Sequence, residues 1–212
     1  MKRLLPLRWL APFCMLALAG CSVLAGNERH PATLYAPQAR IATNPAWPQA
    51  SWQLAIAKPT APSMVDSPRI NVRPTPGELE VYRGANWSQA ATDLLEDTLL
   101  RGFEDSGRID AVARITTGIR ADYKLAIDLR RFEADYAGNA RPAATIELNA
   151  KLVHSNGQRV VASHTVLIAE PAAGTDVASV AAAFETALSK ASTELVGWTL
   201  QAGHADQQQL AR

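Results

Sequence analysis

Cysteine is scarce in this sequence: its 212 residues include two, Cys14 and Cys21, and both stand near the amino terminus. With four scattered histidines and no thiol near them, the spacing of a zinc site is absent. Neither a glycine-rich phosphate loop nor a G-x-S-x-G elbow occurs. The motifs therefore predict no metal, no catalytic residue and no enzyme, although a Ser-His-Asp set assembled in space stays open.

An excess of charge of one sign is also lacking. The chain carries 21 basic and 20 acidic residues, a formal net charge of +1. No basic field indicates a nucleic-acid partner, and no acidic run predicts a solvating tail. We therefore expect no nucleic acid among the partners.

No apolar run is long enough to cross a bilayer as a helix, which takes about 20 residues. The apolar run that is present covers residues 9–20 and follows Met1-Lys2-Arg3 and Arg8, with no acidic residue before it. A basic start followed by a short apolar run is typical of a secretory signal peptide.

The end of this run, Leu18-Ala19-Gly20-Cys21, resembles the lipobox of bacterial lipoproteins. The resemblance implies a signal peptide over 1–20 and a diacylglycerol and an acyl group on Cys21, with no other cofactor. Two or more acyl chains anchor a protein stably, whereas one binds marginally. By analogy with Gram-negative sorting, Ser22 implies the periplasmic face of the outer membrane. An ordinary signal peptide with a chance cysteine is the alternative.

Loss of Cys14 with the signal and modification of Cys21 would leave no disulfide in the mature chain, so core packing has to hold its fold. Residues 21–50 contain four prolines and no persistent apolar period, which predicts a tether. The alternative is an extended segment lying over the domain, pinned by Leu34-Tyr35 and Trp47.

Alternating apolar residues predict seven strands, and Asn156-Gly157 predicts the turn of a hairpin formed by the last two. The strands are 51–58, 69–73, 78–82, 109–115, 122–136, 145–154 and 158–168. A change of parity at Arg130-Arg131 predicts a bulge. In the hairpin a two-residue turn would place His154 opposite Arg159 and His164 opposite Asn149, too far apart to share a metal.

Two helices with apolar stripes complete the pattern. We expect Asn86 to cap the first, Ser106-Gly107 to end it, and Thr175 to cap the second. The sequence predicts one α+β domain over 51–202, an antiparallel sheet of several long strands with two amphipathic helices packed on one face. A polar tail, 203–212, is expected to fray.

The segment Ser67–Trp87, SPRINVRPTPGELEVYRGANW, resembles the ABC-type transport auxiliary lipoproteins. The likeness extends to the order of lipobox, tether, hairpin, helix, long strands and final helix. It implies an accessory or adaptor subunit beside an ABC permease, its ATPase and an MCE-domain protein that moves lipids between membranes. Phospholipid binding and a homo-oligomer stay open. Val81-Tyr82 departs from the paired aromatics frequent in the family.

Four residues of this segment are candidates for partner binding: Arg69, Arg73, Tyr82 and Trp87. Aromatic residues and arginines are favoured as interface anchors. In the alternative, Trp87 packs under the first helix and the arginines pair with Glu78 and Glu80.

Two other functions stay open. A lipoprotein regulator of a cell-wall synthase would also combine a lipobox, a Pro-rich tether and a small α+β domain. A lipid-anchored hydrolase would depend on His154 or His164.

Overall fold

The computed structural model describes residues 32–212. The predicted signal peptide and Cys21 lie outside the described residues. The described strands and helices, in chain order, are β1 Thr33–Tyr35, β2 Leu54–Ile56, β3 Arg69–Arg73, β4 Glu80–Trp87, α1 Ala91–Ser106, β5 Val112–Arg114, β6 Tyr123–Asp135, β7 Ala143–His154, β8 Arg159–Pro171 and α2 Val177–Leu210. Neither of these helices combines the length and the apolar character that a membrane span requires.

The eight described strands form one sheet organised around β6. One edge of β6 pairs antiparallel with β7, which pairs in turn with β8. The other edge pairs in parallel with β2 near the start of β6 and with β3 near its end. β4 pairs antiparallel with β3. At the two edges, β1 pairs in parallel with β4, and β5 pairs in parallel with β2. The α+β class is confirmed, with a mixed sheet in place of a purely antiparallel one.

Both helices pack on one face of this sheet, which we call the inner face; the opposite face is the outer face. The apolar stripe predicted on α1 is buried throughout; its residues are Ala91, Leu94, Leu95, Thr98, Leu99, Gly102 and Phe103. Gly107 ends α1 with φ +61°, as predicted. The predicted caps were wrong: Asn86 lies within β4, and α2 is capped by Asp176, whose Oδ1 accepts a hydrogen bond from the Ser179 amide at 2.9 Å.

The alternation of β6 buries its odd-numbered apolar residues from Tyr123 to Leu129 against the helices. A register shift between Leu129 and Arg131 then brings Phe132 to the inner face, which confirms the predicted bulge. In the β7–β8 hairpin His154 lies opposite Arg159 as predicted. A second shift, next to Leu152, places His164 opposite Ala150 instead of Asn149.

Residues 36–50, which we call the strap, lie along α2 and belong to the folded domain. The Ala42 amide donates to Thr193 Oγ1 at 2.9 Å, and the Gln38 amide donates to Glu185 Oε2 at 3.0 Å. Trp47 is buried against Gly197, where an added Cβ would stand 2.6 Å from the indole Nε1. The predicted tether was therefore wrong for residues 32–50, and the alternative of an extended segment over the domain describes them.

The carboxyl terminus is also folded, because α2 continues to Leu210. Asp206 is buried, and its carboxylate accepts hydrogen bonds from the Tyr123 hydroxyl at 2.9 Å and from Arg159 Nη2 at 2.7 Å. Gly203 packs on Trp52, where a Cβ would meet the ring at 2.3 Å. The expected frayed tail and the boundary at residue 202 were wrong, since polar residues here have buried partners.

Candidate functional site

Trp87, one of the four predicted docking residues, lies in the core with 1% of its surface exposed. Its ring meets the rings of Phe132 and Phe184 edge-on, with centroids 5.8 and 5.0 Å away. The end of β4 points this side chain toward α2, so Trp87 offers no surface to a partner. Trp87 is thus buried, as in the alternative, but its aromatic contacts are with β6 and α2 and not with the first helix, under which that alternative placed it.

Arg73 belongs to an ion-pair network between β3 and β6. Its Nε and Nη2 donate to the two carboxylate oxygens of Glu133 at 2.8 and 3.0 Å. Arg131 Nε also donates to Glu133 Oε1 at 2.8 Å, and Arg131 pairs in addition with Asp135. Arg73 does not pair with the carboxylates of Glu78 and Glu80, which were the predicted partners. Its contact with Glu78 is a hydrogen bond to the backbone carbonyl oxygen. Arg73 therefore stabilises the junction of two strands.

Glu133 is 2% exposed. Protonation of its carboxylate should therefore change the free energy of unfolding as the pH falls. Burial pulls the pKa of Glu133 upward, but the hydrogen bonds from Arg73 and Arg131 outweigh it and hold that pKa below 4.5. A carboxyl with a depressed pKa stabilises the fold above its unfolded pKa and loses this contribution as the pH falls. We expect Glu133→Gln to flatten the decline in the free energy of unfolding below about pH 4.5. Urea titrations at several pH values measure this, with the exposed Glu104→Gln as control; parallel pH profiles of wild type and Glu133→Gln would contradict it.

Tyr82 is half-buried where β4 begins, near Tyr136 and the amino terminus of α2. Burial, with a smaller effect of Tyr136, raises the pKa of Tyr82 to about 12. Its hydroxyl is enclosed and has no hydrogen-bond partner among residues 32–212. The ring therefore contributes packing, and the hydroxyl adds no stabilising contact.

Two Tyr→Phe substitutions should consequently differ in effect. Tyr82→Phe removes an enclosed hydroxyl without a partner, so the free energy of unfolding should stay the same or rise by up to about 1 kcal/mol. Tyr123→Phe removes a donor to buried Asp206 and should lower it by about 1–2 kcal/mol. Equilibrium denaturation of the pair checks this, and equal losses would contradict the assignment of partners.

Arg69 is the predicted docking residue that the structure leaves exposed on the outer face. Its cross-strand partner is Asn86, which also pairs with Leu34 of β1. Leu34 is 65% exposed. The three side chains form a row that we call the β1 row. Leu34 was predicted only to pin an extended segment over the domain, although the short alternation Thr33-Leu34-Tyr35 is typical of a strand.

His164 and Glu96 have structural partners. His164 stacks on Trp198 with ring centroids 5.4 Å apart and contacts Glu194 Oε1 at 2.8 Å. Glu96 of α1 is buried beside Arg114, and burial raises its pKa despite that guanidinium. Within residues 32–212, no three His, Cys, Asp or Glu side chains cluster as metal ligands would.

Residues 33–196 match the family of ABC-type transport auxiliary lipoprotein components. The chain belongs to this family. The resemblance predicted from residues 67–87 is thereby confirmed. The family name associates its members with ABC-type transport and, as lipoproteins, with the cell envelope.

The chain is also similar to individual proteins of other bacteria. The crystal structure of protein XCC0632 from Xanthomonas campestris is 67% identical, covers 84% of this chain and 99% of its own, and superposes with a TM-score of 0.81. A protein of Bradyrhizobium diazoefficiens is 34% identical over 158 residues, which cover 74% of this chain. The chain spans 42% of the length of that relative. Another crystal structure, 12% identical with a TM-score of 0.61, shares the fold.

Proposed function

We propose that this auxiliary lipoprotein is a non-enzymatic adaptor subunit of an ABC/MCE-type intermembrane lipid transport system. Cys21 would carry its acyl and diacylglycerol groups and hold it at the periplasmic face of the outer membrane. The observation that carries the proposal is the family match over 33–196, which includes the whole strap, all eight described strands and most of α2.

The strap limits how far the domain can stand from its anchor. Because residues 32–50 lie on the domain, ten residues, 22–31, separate Cys21 from the first described residue. Ten residues span at most about 35 Å when fully extended. The domain would therefore meet a bridging MCE-domain protein close to the anchoring membrane.

An adaptor also needs a surface for its partner, and the outer face and β8 supply one. β8 is 13 residues long and pairs only with β7 among the described strands, so its other edge keeps unpaired backbone groups. Leu167, on this strand, is 60% exposed. Such an edge can accept a strand or loop of a partner. The proposed partner is the MCE-domain protein, with the permease and ATPase joined through it.

Photo-crosslinking in the native envelope tests the proposal. A photoreactive amino acid at Leu167 should capture an MCE-domain chain, and the same residue at Leu210, which is 57% exposed on α2, serves as the matched control. Capture of a cell-wall synthase at Leu167, or of no MCE-domain chain from either position, would contradict the proposed function.

A further inference from the structure

We infer that the β1 row, Leu34, Asn86 and Arg69, rests on the phospholipid surface to which the chain is anchored. The inference depends on the proposed acylation of Cys21. It assigns a membrane contact to a face of the folded domain, in addition to the covalent anchor.

The register of three strands brings these side chains together. Leu34 pairs with Asn86 across β1 and β4, and Arg69 pairs with Asn86 across β3 and β4. Paired residues point to the same face of a sheet, and strands lie about 4.8 Å apart, so the Cα atoms of Leu34 and Arg69 are about 10 Å apart. Their sequence neighbours Ile70 and Trp87 are buried on the inner face.

The chemistry of the row suits the boundary between phospholipid headgroups and acyl chains. Leu34 is apolar and 65% exposed, and Met64, 41% exposed, lies in the adjoining turn that hydrogen-bonds to Asn71. Arg69 is exposed, and no carboxylate pairs with it among residues 32–212. Asp66, the acidic residue of that turn, is engaged by the Thr92 hydroxyl at 2.5 Å. An exposed guanidinium binds phosphate oxygens, while apolar side chains enter the acyl boundary.

The position of the anchor selects this row over other exposed apolar residues. Leu34 follows Cys21 by thirteen residues, a stretch that spans at most about 45 Å. β1 and β8 lie at opposite ends of the path through β3, β4, β6 and β7, so Leu167 is about 24 Å away across the sheet. An anchor attached at the β1 edge therefore favours contact by Leu34.

Site-specific labelling of the lipidated full chain tests this contact. With Cys21 acylated, Leu34→Cys supplies the free thiol of the mature protein, and Leu167→Cys is a control of similar exposure. Each variant, labelled with bimane, is reconstituted in vesicles of phosphatidylethanolamine and phosphatidylglycerol that contain brominated lipid. Several-fold stronger quenching at position 34 than at 167 is expected.

Charge variants separate contact from mere proximity. Arg69→Ala should weaken the surface contact about fivefold, as the loss of one basic residue near an anionic surface does. Arg120→Ala, which removes an exposed arginine elsewhere, should leave the quenching at position 34 unchanged. Equal quenching at 34 and 167 in membrane-bound protein would overturn this inference alone; protein that fails to stay with the vesicles would overturn the lipid anchor and the inference together.

Discussion

Ending the chain at Ala202 is expected to lower the free energy of unfolding by about 3–5 kcal/mol. The truncation removes Asp206, so the enclosed Tyr123 hydroxyl and the guanidinium of Arg159 lose their acceptor. It also removes Gly203 from its contact with Trp52. The buried Tyr123 hydroxyl left without a partner costs about 1–3 kcal/mol, and the lost packing adds to this.

Urea denaturation of the truncated and complete chains measures this loss. Ending the chain at Gln208 is the control, because it removes the exposed residues 209–212 and leaves Asp206 and Gln207 in place. We expect the control to differ from the complete chain by less than about 0.5 kcal/mol. Equal stability of the chain ending at Ala202 would contradict a folded carboxyl terminus.

Replacing Trp87 by alanine is expected to destabilise the domain by about 3–5 kcal/mol, as removal of a large core aromatic does. The substitution would open a cavity between Phe132 and Phe184, whose rings contact Trp87. Thermal and denaturant unfolding measure the effect.

Arg69→Ala is the matched control for Trp87→Ala, since both residues come from the same predicted docking segment. Its side chain is exposed and unpaired within residues 32–212, so its removal should change stability by less than about 0.5 kcal/mol. A stable Trp87→Ala variant that loses only its binding partner would contradict the core assignment.

Much of the fold could be predicted because its elements follow local periodicity. The stripe of α1 and the alternation of β6 each repeat over several turns or residue pairs. The bulge beside Arg130 was predictable because the alternation itself changes parity there. These features depend on neighbours in sequence, which the sequence displays directly.

The strap was predicted only as an alternative to a tether, and the folded end of α2 was not predicted, because distant residues determine both. Trp47 fits against Gly197, and Trp52 fits against Gly203, about 150 residues further along the chain in each case. The prolines of the strap instead predicted a flexible tether, and the glutamines at the carboxyl terminus predicted a frayed tail. The parallel pairing of β2 and β3 with β6 likewise joins segments that are far apart in sequence.

The sequence predicted which residues belong to the candidate site but not which residues they contact. Arg73 had acidic residues nearby in sequence, yet its partner Glu133 lies 60 residues away. Arg69 was predicted to bind a partner and its side chain is exposed, whereas its apolar neighbour Leu34 comes from a segment predicted as tether. Exposure, which depends on the tertiary fold, separates Arg69 from Trp87.

Intact-mass and peptide mass spectrometry of the protein from its native envelope tests the lipid-anchored adaptor most directly. The predicted result is a chain that begins at Cys21, lacks residues 1–20, and carries a diacylglycerol on its sulfur and an acyl group on its amine. An unmodified Cys21 thiol, or a chain that retains its leader, would contradict the account.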